Sequence, residues 1–170
     1  MAMADTRLVE QVQISLSIED KIALAWALMT EGSIIVRIVR RPSSHYDGYI
    51  PVLTFTSTDI ELTHKVQSIT RCGHVYHVKV PRRPQERDTW RWSLHRVREV
   101  LSVLDQVYPY LIIKKKQAWL TMEICRIKLE RGMFFNQFTG RRPTFERETE
   151  IYLTVKTLNR AHKSLGRGIG

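Results

Sequence analysis

The segment Ser17–Ser33, SIEDKIALAWALMTEGS, decides how the rest of the chain is read. Eight consecutive apolar residues, Ile22 to Met29, follow a polar start and run into Thr30, Glu31 and Gly32. Ser17 with Asp20 three places on forms a capping pair, and a glycine suits the left-handed stop of a helix, so the spacing predicts a helix over 18–31. A helix apolar on every face must be covered on all sides, by its own domain, by lipid or by a second chain. This one is far shorter than the roughly 20 apolar residues that span a bilayer. A chain of 170 residues covers one side with its own sheet, and the remainder reads as a dimer seam in which Ala23 and Ala27, one turn apart, allow close backbone approach. Glu31 stands at the negative end of the helix dipole, which disfavours a carboxylate by about 0.3–1 kcal/mol. A positive group is expected beside it.

The composition, 43% hydrophobic and 26% charged, is that of a globular domain, and 27 Lys and Arg against 17 Asp and Glu leave a formal charge of +10. Such a balance makes nucleic acid or an anionic membrane surface the natural partner. No segment is apolar for long enough to enter a membrane. Met1–Gln13 lacks the apolar run of a secretory signal, so the expectation is a cytoplasmic or organellar protein, not a secreted one, with its two cysteines reduced. Cys72, His74 and His77, with His64 nearby, do not have the paired, separated ligands of a zinc site. Cys125, in an apolar helical stretch, reads as a small buried hydrophobe.

Residues 1–16 have no clear period and read as an N-terminal arm. After the first helix, SIIVRIVRR alternates as a strand, PSSHYDGY supplies turn residues, and IPVLTFTS returns as a second strand. Thr58-Asp59-Ile60-Glu61 is a capping box that opens a second helix to about Thr70, with Leu62, Val66 and Ile69 at helical spacing. Gly73 marks a turn into a second hairpin, HVYHVKVP and TWRWSL, joined by the basic loop PRRPQERD. His95–Val107 is a third helix, ended by Pro109. A fourth follows Lys114-Lys115-Lys116, with Ala118, Met122, Cys125 and Leu129 as its stripe. Phe134, Phe135 and Phe138 read as a packed flap, and a last helix spans Thr144 to about Lys163. The core is thus expected over 17–131, with a C-terminal loop-and-helix extension over 132–170.

Four antiparallel strands of this pattern have one apolar face and one polar, basic face. The candidate DNA contacts on the second are Ser33, Arg37, Thr54, Thr56, His77, Lys79, Arg91 and Ser93, joined by the loop residues Arg40, Arg41, Arg82 and Arg83. Solvated sheet faces mix both signs of charge, whereas this one is nearly free of acids, as reading of duplex DNA by a β-ribbon requires. Lys115 and Lys116 are candidate phosphate contacts.

The order helix, hairpin, helix, hairpin, helix, opened by Leu24-Ala25-Trp26-Ala27-Leu28-Met29-Thr30-Glu31-Gly32 and continued by Ser33-Ile34, resembles the LAGLIDADG homing endonucleases. Pro109–Ala118 resembles the family's P-x-L-x-x-K-x-x-Q segment, and Leu53-Thr54-Phe55 before Thr58-Asp59 its second strand running into helix two. The resemblance covers roughly Ser17 to Leu129. Trp26 stands where the family prefers glycine and Met29 where it often has an acid. The resemblance implies an α+β, αββαββα fold whose four-stranded antiparallel sheet forms a DNA-binding saddle with helices on the other face. A single motif implies a homodimer joined through helix 18–31, acting on a long pseudo-palindromic target. It further implies that Glu31, with the Thr30 carbonyl, binds a divalent metal, Mg2+, that Lys114 stabilises phosphate charge or polarises water, and that Asp59 borders the water pocket. Few asparagines and many arginines point to a heat-adapted source, with an intron-encoded archaeal member as the expectation. The competing reading is an intron-splicing maturase, or a non-catalytic DNA- or RNA-binding protein, on the same fold.

Overall fold

The computed structural model describes residues 14–40, 47–79, 88–134 and 146–165. In chain order these form α1 (Ile18–Thr30), β1 (Gly32–Arg40), β2 (Asp47–Ser57), α2 (Ile60–Thr70), β3 (His74–Val78), β4 (Thr89–Leu94), α3 (Val97–Val107), a 3-10 turn at Tyr108–Tyr110, α4 (Lys115–Phe134) and α5 (Glu146–Leu165). The strands make one antiparallel sheet in the order β1-β2-β4-β3, so both expected hairpins are present and meet where β2 pairs with β4.

Ser17 opens α1 as its spacing requires, its Oγ accepting the Asp20 N–H at 3.1 Å. At α2 the cap is Asp59 rather than Thr58. Asp59 Oδ1 accepts the N–H groups of Glu61 (2.8 Å) and Leu62 (3.4 Å), while Ser57 Oγ accepts the Asp59 N–H at 3.0 Å. A carboxylate at that position both satisfies free helix donors and faces the positive end of the dipole, which Thr58 does not. The third helix begins at Val97, two residues later than its pattern suggests.

Ile34, Leu53, Phe55, Trp92 and Leu94 share one face of the sheet and are each no more than 2% exposed. Leu24 and Leu28 of α1, Val66 of α2, Val100 and Leu104 of α3, and Ala118, Met122 and Cys125 of α4 pack onto them. A second cluster lies toward the far end of β1 and β2, where Val36 and Tyr49 meet Leu120 and Ile124 of α4 and Ile151 and Val155 of α5. The C-terminal helix is held to the edge strand as well, since Asn159 Nδ2 donates to the Ile34 carbonyl at 3.1 Å. Covering an edge strand in this way removes a template for unwanted pairing.

The register of β3 corrects one expectation. Val75 lies opposite Trp92 and His77 opposite Trp90, and directly opposed residues project to the same side of a sheet. His77 therefore stands on the tryptophan side, its ring 4.7 Å from that of Trp90 and its Nε2 3.0 Å from Asp88 Oδ2. His74 and Tyr76, opposite Ser93 and Arg91, take the polar face instead. In HVYHVKV both alternating sets contain valine, so the pattern alone does not choose a face, and a one-residue slip inverts every side chain. The complete burial of Trp92 makes the choice.

Two glycines are fixed by close packing. Gly73 has φ +80°, and a Cβ there would lie 2.5 Å from Trp92 Nε1, the same atom that donates to the Cys72 carbonyl at 2.8 Å. A Cβ on Gly32 would lie 2.5 Å from Leu28 Cα, in backbone that has nowhere to move. Gly73→Ala and Gly32→Ala are each expected to cost more than about 1 kcal/mol of unfolding free energy. Gly48→Ala, whose Cβ would meet only the Val39 carbonyl oxygen at 3.7 Å, is expected to stay within about 0.5 kcal/mol. Urea unfolding of the three variants checks the contrast.

Candidate active site

The site forms where α1 hands over to β1. Glu31 is the C-cap of α1, its N–H bonded to the Ala27 carbonyl and its side chain exposed. The cation expected beside it is Lys114, brought from 82 to 86 positions along the chain. Lys114 Nζ donates to the carbonyls of Leu28 (2.8 Å), Met29 (2.9 Å) and Gly32 (2.8 Å). Carbonyls at a helix C-terminus have no intrahelical donor, and a cation is the partner the dipole favours there. The same residue starts the next helix, because its own carbonyl accepts the Ala118 N–H at 2.9 Å. It does so with φ +62°, in the left-handed region. The preceding residues are tied to α1 as well: the Ile112 N–H lies 3.1 Å from Met29 Sδ. Burial pulls the Lys114 ammonium below its ordinary pKa, and the nearby Glu31 carboxylate opposes that shift.

From this corner a groove of about 490 Å³ opens onto the polar face of the sheet. Glu31 and Lys114 line it together with Ser33 and Arg37 of β1, Thr54 of β2, Arg91 of β4 and, unexpectedly, Asn159 of α5. Thr54 is only 7% exposed and forms part of the floor. Arg91 lies opposite Thr56 and donates from Nε to its Oγ1 at 3.1 Å. Ser33, Thr54, Ser93 and His74 form one continuous row across the four strands. Asn159 lies beyond the stretch that carries the family resemblance, in an amphipathic helix, and no local pattern distinguishes it from an ordinary surface amide.

The other candidates are distributed around this groove. Asp59 is not among its lining residues, and its carboxylate is engaged with the start of α2. Lys115 and Lys116 are exposed in the first turn of α4, with the Lys115 Nζ 5.8 Å from the centre of the Tyr108 ring. Lys79 is exposed one residue past β3. The side chain of Arg40, together with Arg41, Arg82, Arg83, residues 1–13, Phe135 and Phe138, lies outside the described residues.

Around Glu31 the hard oxygen donors include the carboxylate and the Thr30 carbonyl, which neither Lys114 nor the Glu31 N–H engages. A carboxylate and a carbonyl suit a hard divalent cation that takes its remaining ligands from water and phosphate. Among the described residues no three His, Cys, Asp or Glu side chains are grouped to hold a metal. The two thiols are remote from this chemistry: burial pushes Cys72 up to about 11 and Cys125 up to about 12.

The opposite side of α1 is uncovered. Ile18 is 60% exposed, Ile22 42% and Trp26 58%, and these three recur every four residues along one stripe. Ile112 and Ile113, beside the end of α1, are exposed too. Among the described residues no helix is long and apolar enough to cross a membrane.

No family model matches the chain, and no curated protein does. Solved structures do. The homing endonuclease I-CvuI, in complex with its target in 2 mM calcium, is 20% identical with a TM-score of 0.54, over 84% of this chain and 98% of that one. The archaeal intron-encoded homing endonuclease I-Vdi141I, complexed with DNA, is 14% identical with a TM-score of 0.53, over 83% and 97%. I-SmaMI bound to uncleaved DNA with calcium is 18% identical with a TM-score of 0.61, over 85% of this chain and 46% of that one, so this chain spans about half its length. I-SmaMI is a LAGLIDADG homing endonuclease. With one motif helix packed beneath a four-stranded antiparallel sheet and its acid at the sheet's polar edge, this chain has the fold of the LAGLIDADG homing endonucleases.

Proposed function

We propose that the chain is one half of a homodimeric, site-specific DNA endonuclease that hydrolyses phosphodiester bonds with a divalent metal, magnesium being the natural one. The observation that carries this reading is the position of Glu31. Its exposed carboxylate ends a helix whose uncovered stripe, Ile18, Ile22 and Trp26, invites a second copy, and it opens onto a groove lined by Arg37 and Arg91. Two-fold docking of that stripe is isologous, so it brings two Glu31 carboxylates toward one axis and two sheet faces onto one duplex. A two-fold protein on DNA calls for a pseudo-palindromic target.

Each chain's residues divide the work. Arg37 and Arg91 supply positive charge to phosphates, while Ser33, Thr56, Ser93 and His74 offer hydroxyl and imidazole groups to base edges. The lysines in the first turn of α4 have no acid beside them in that turn, and they sit at the positive pole of a helix, an arrangement that a nearby phosphate relieves. Glu31 and the Thr30 carbonyl hold the cation. When bound, the metal supplies a lowered water pKa and neutralises charge on the scissile phosphate. The neighbouring I-CvuI complexes were obtained with calcium or magnesium present, which supports a divalent cation here.

A plasmid-library cleavage assay with and without magnesium tests the reading, and a discrete cut site that requires the metal is the expected result. Glu31→Gln is expected to reduce cleavage on the order of 10³-fold while leaving DNA affinity within about threefold of the unaltered chain. Cleavage by that variant at the original rate would remove Glu31 from the chemistry. Trp26→Asp places a charge in the seam. In sedimentation velocity the unaltered chain is expected at twice its 20.0 kDa mass and the variant as a monomer; a monomeric unaltered chain would sink the dimer.

A further inference from the structure

We infer that Lys114 is a positioning residue: its ammonium group fixes the turn that bears Glu31 and makes no contact with a DNA phosphate. The inference rests on the nuclease reading above but assigns the lysine a different task from direct contact with the reacting group.

An ammonium group has three N–H donors. All three have acceptors here, at 2.8, 2.9 and 2.8 Å on Leu28, Met29 and Gly32. A hydrogen bond to a phosphate oxygen would require one of these carbonyls to be abandoned in a half-buried site, where an unpaired carbonyl costs about 1–3 kcal/mol. The choice of carbonyls also matters. The Ala27 carbonyl takes the Glu31 N–H and Lys114 takes those of Leu28, Met29 and Gly32, which leaves the Thr30 and Glu31 oxygens as the ones these donors do not reach. The lysine therefore fixes the carbonyls on either side of Thr30 and Glu31, the two residues of this turn that line the groove. Its own backbone is pinned by φ +62° and by the bond from the Ala118 N–H, so α1 and α4 are held at one point by one residue. Rotating the Thr30–Glu31 peptide would break the bond from the Glu31 N–H to the Ala27 carbonyl, between two carbonyls that Lys114 holds in place.

Lys114→Met keeps the length and apolar stem and deletes the donors; Lys114→Arg keeps the charge but cannot aim three donors at three converging carbonyls. The test uses the full-length chain and the target found by the cleavage assay, and measures DNA affinity against salt concentration without divalent metal, then kcat, KM and the magnesium needed for half-maximal rate. A lysine that neutralises one phosphate contributes about one to the slope of log affinity against log salt, as Arg37→Ala is expected to reveal by losing that much. Lys114→Met is expected to keep the slope and an affinity within about twofold. It should lose about tenfold or more in kcat at unchanged KM and need several times more magnesium. Lys114→Arg should be impaired alike, and it decides the matter if the methionine variant does not fold. A slope lowered by about one in Lys114→Met, with an unchanged magnesium requirement, overturns the inference, as does full kcat in Lys114→Arg. An unaltered chain that neither binds nor cuts DNA overturns the nuclease reading and this inference with it; an unaltered chain that cuts while the variants behave as phosphate contacts overturns this inference alone.

Discussion

One ammonium group closes the C-terminal turn of α1, and much of the molecule is arranged to put it there. The turn carries the Leu28 and Met29 carbonyls, which the helix itself cannot satisfy, the Gly32 carbonyl that opens β1, and an acid that the helix dipole disfavours. Lys114 answers both at once. To reach that spot the chain must complete four strands and three helices, place the Tyr108–Tyr110 turn against α1 and adopt a left-handed residue before α4. The tight approach of Gly32 to Leu28 belongs to the same corner, since any side chain at Gly32 would occupy the space in which the turn reverses into β1.

The sheet then gives this corner its outlook. Its lower face is filled by Trp92, Phe55 and the aliphatic side chains around them, so it carries the stability of the domain. Its upper face is freed to present hydroxyls and guanidinium groups in rows set by the strand register. The C-terminal helix serves both faces. Ile151 and Val155 fill the second apolar cluster, while Asn159 binds the edge strand and joins the wall of the groove. A helix that reads as an appendage in sequence is thereby part of the surface around Glu31.

The exposed stripe of α1 accounts for Trp26, a residue with no place in the core. At 58% exposure it lies with Ile18 and Ile22 on the side of the helix away from the sheet. A large indole there is ill suited to the closest helix crossing that small residues permit, so any partner surface must be shaped around it rather than around Ala23 and Ala27 alone.

The nature and order of the elements were legible in the sequence because their signals are local. Caps, alternation and helical spacing arise from contacts within about four residues, and they placed α1, both hairpins and the antiparallel arrangement correctly. The same local signals marked Glu31 as an acid in want of a cation. What they could not settle depends on contacts between distant residues. Which side His77 takes follows from the burial of Trp92 across the pair, since both alternating sets in β3 were apolar enough to face inward. Asp59 was legible as a polar residue at the start of α2, but its engagement as the cap emerged only once β2 ended at Ser57. That Lys114 spends its three donors on the end of α1 and the start of β1, and that Asn159 enters the groove, are consequences of packing across more than eighty residues of chain. The sequence by itself determined the elements and the charged groups available; the tertiary structure alone decided which of those groups face one another, because long-range packing and strand register leave no periodic trace in the chain.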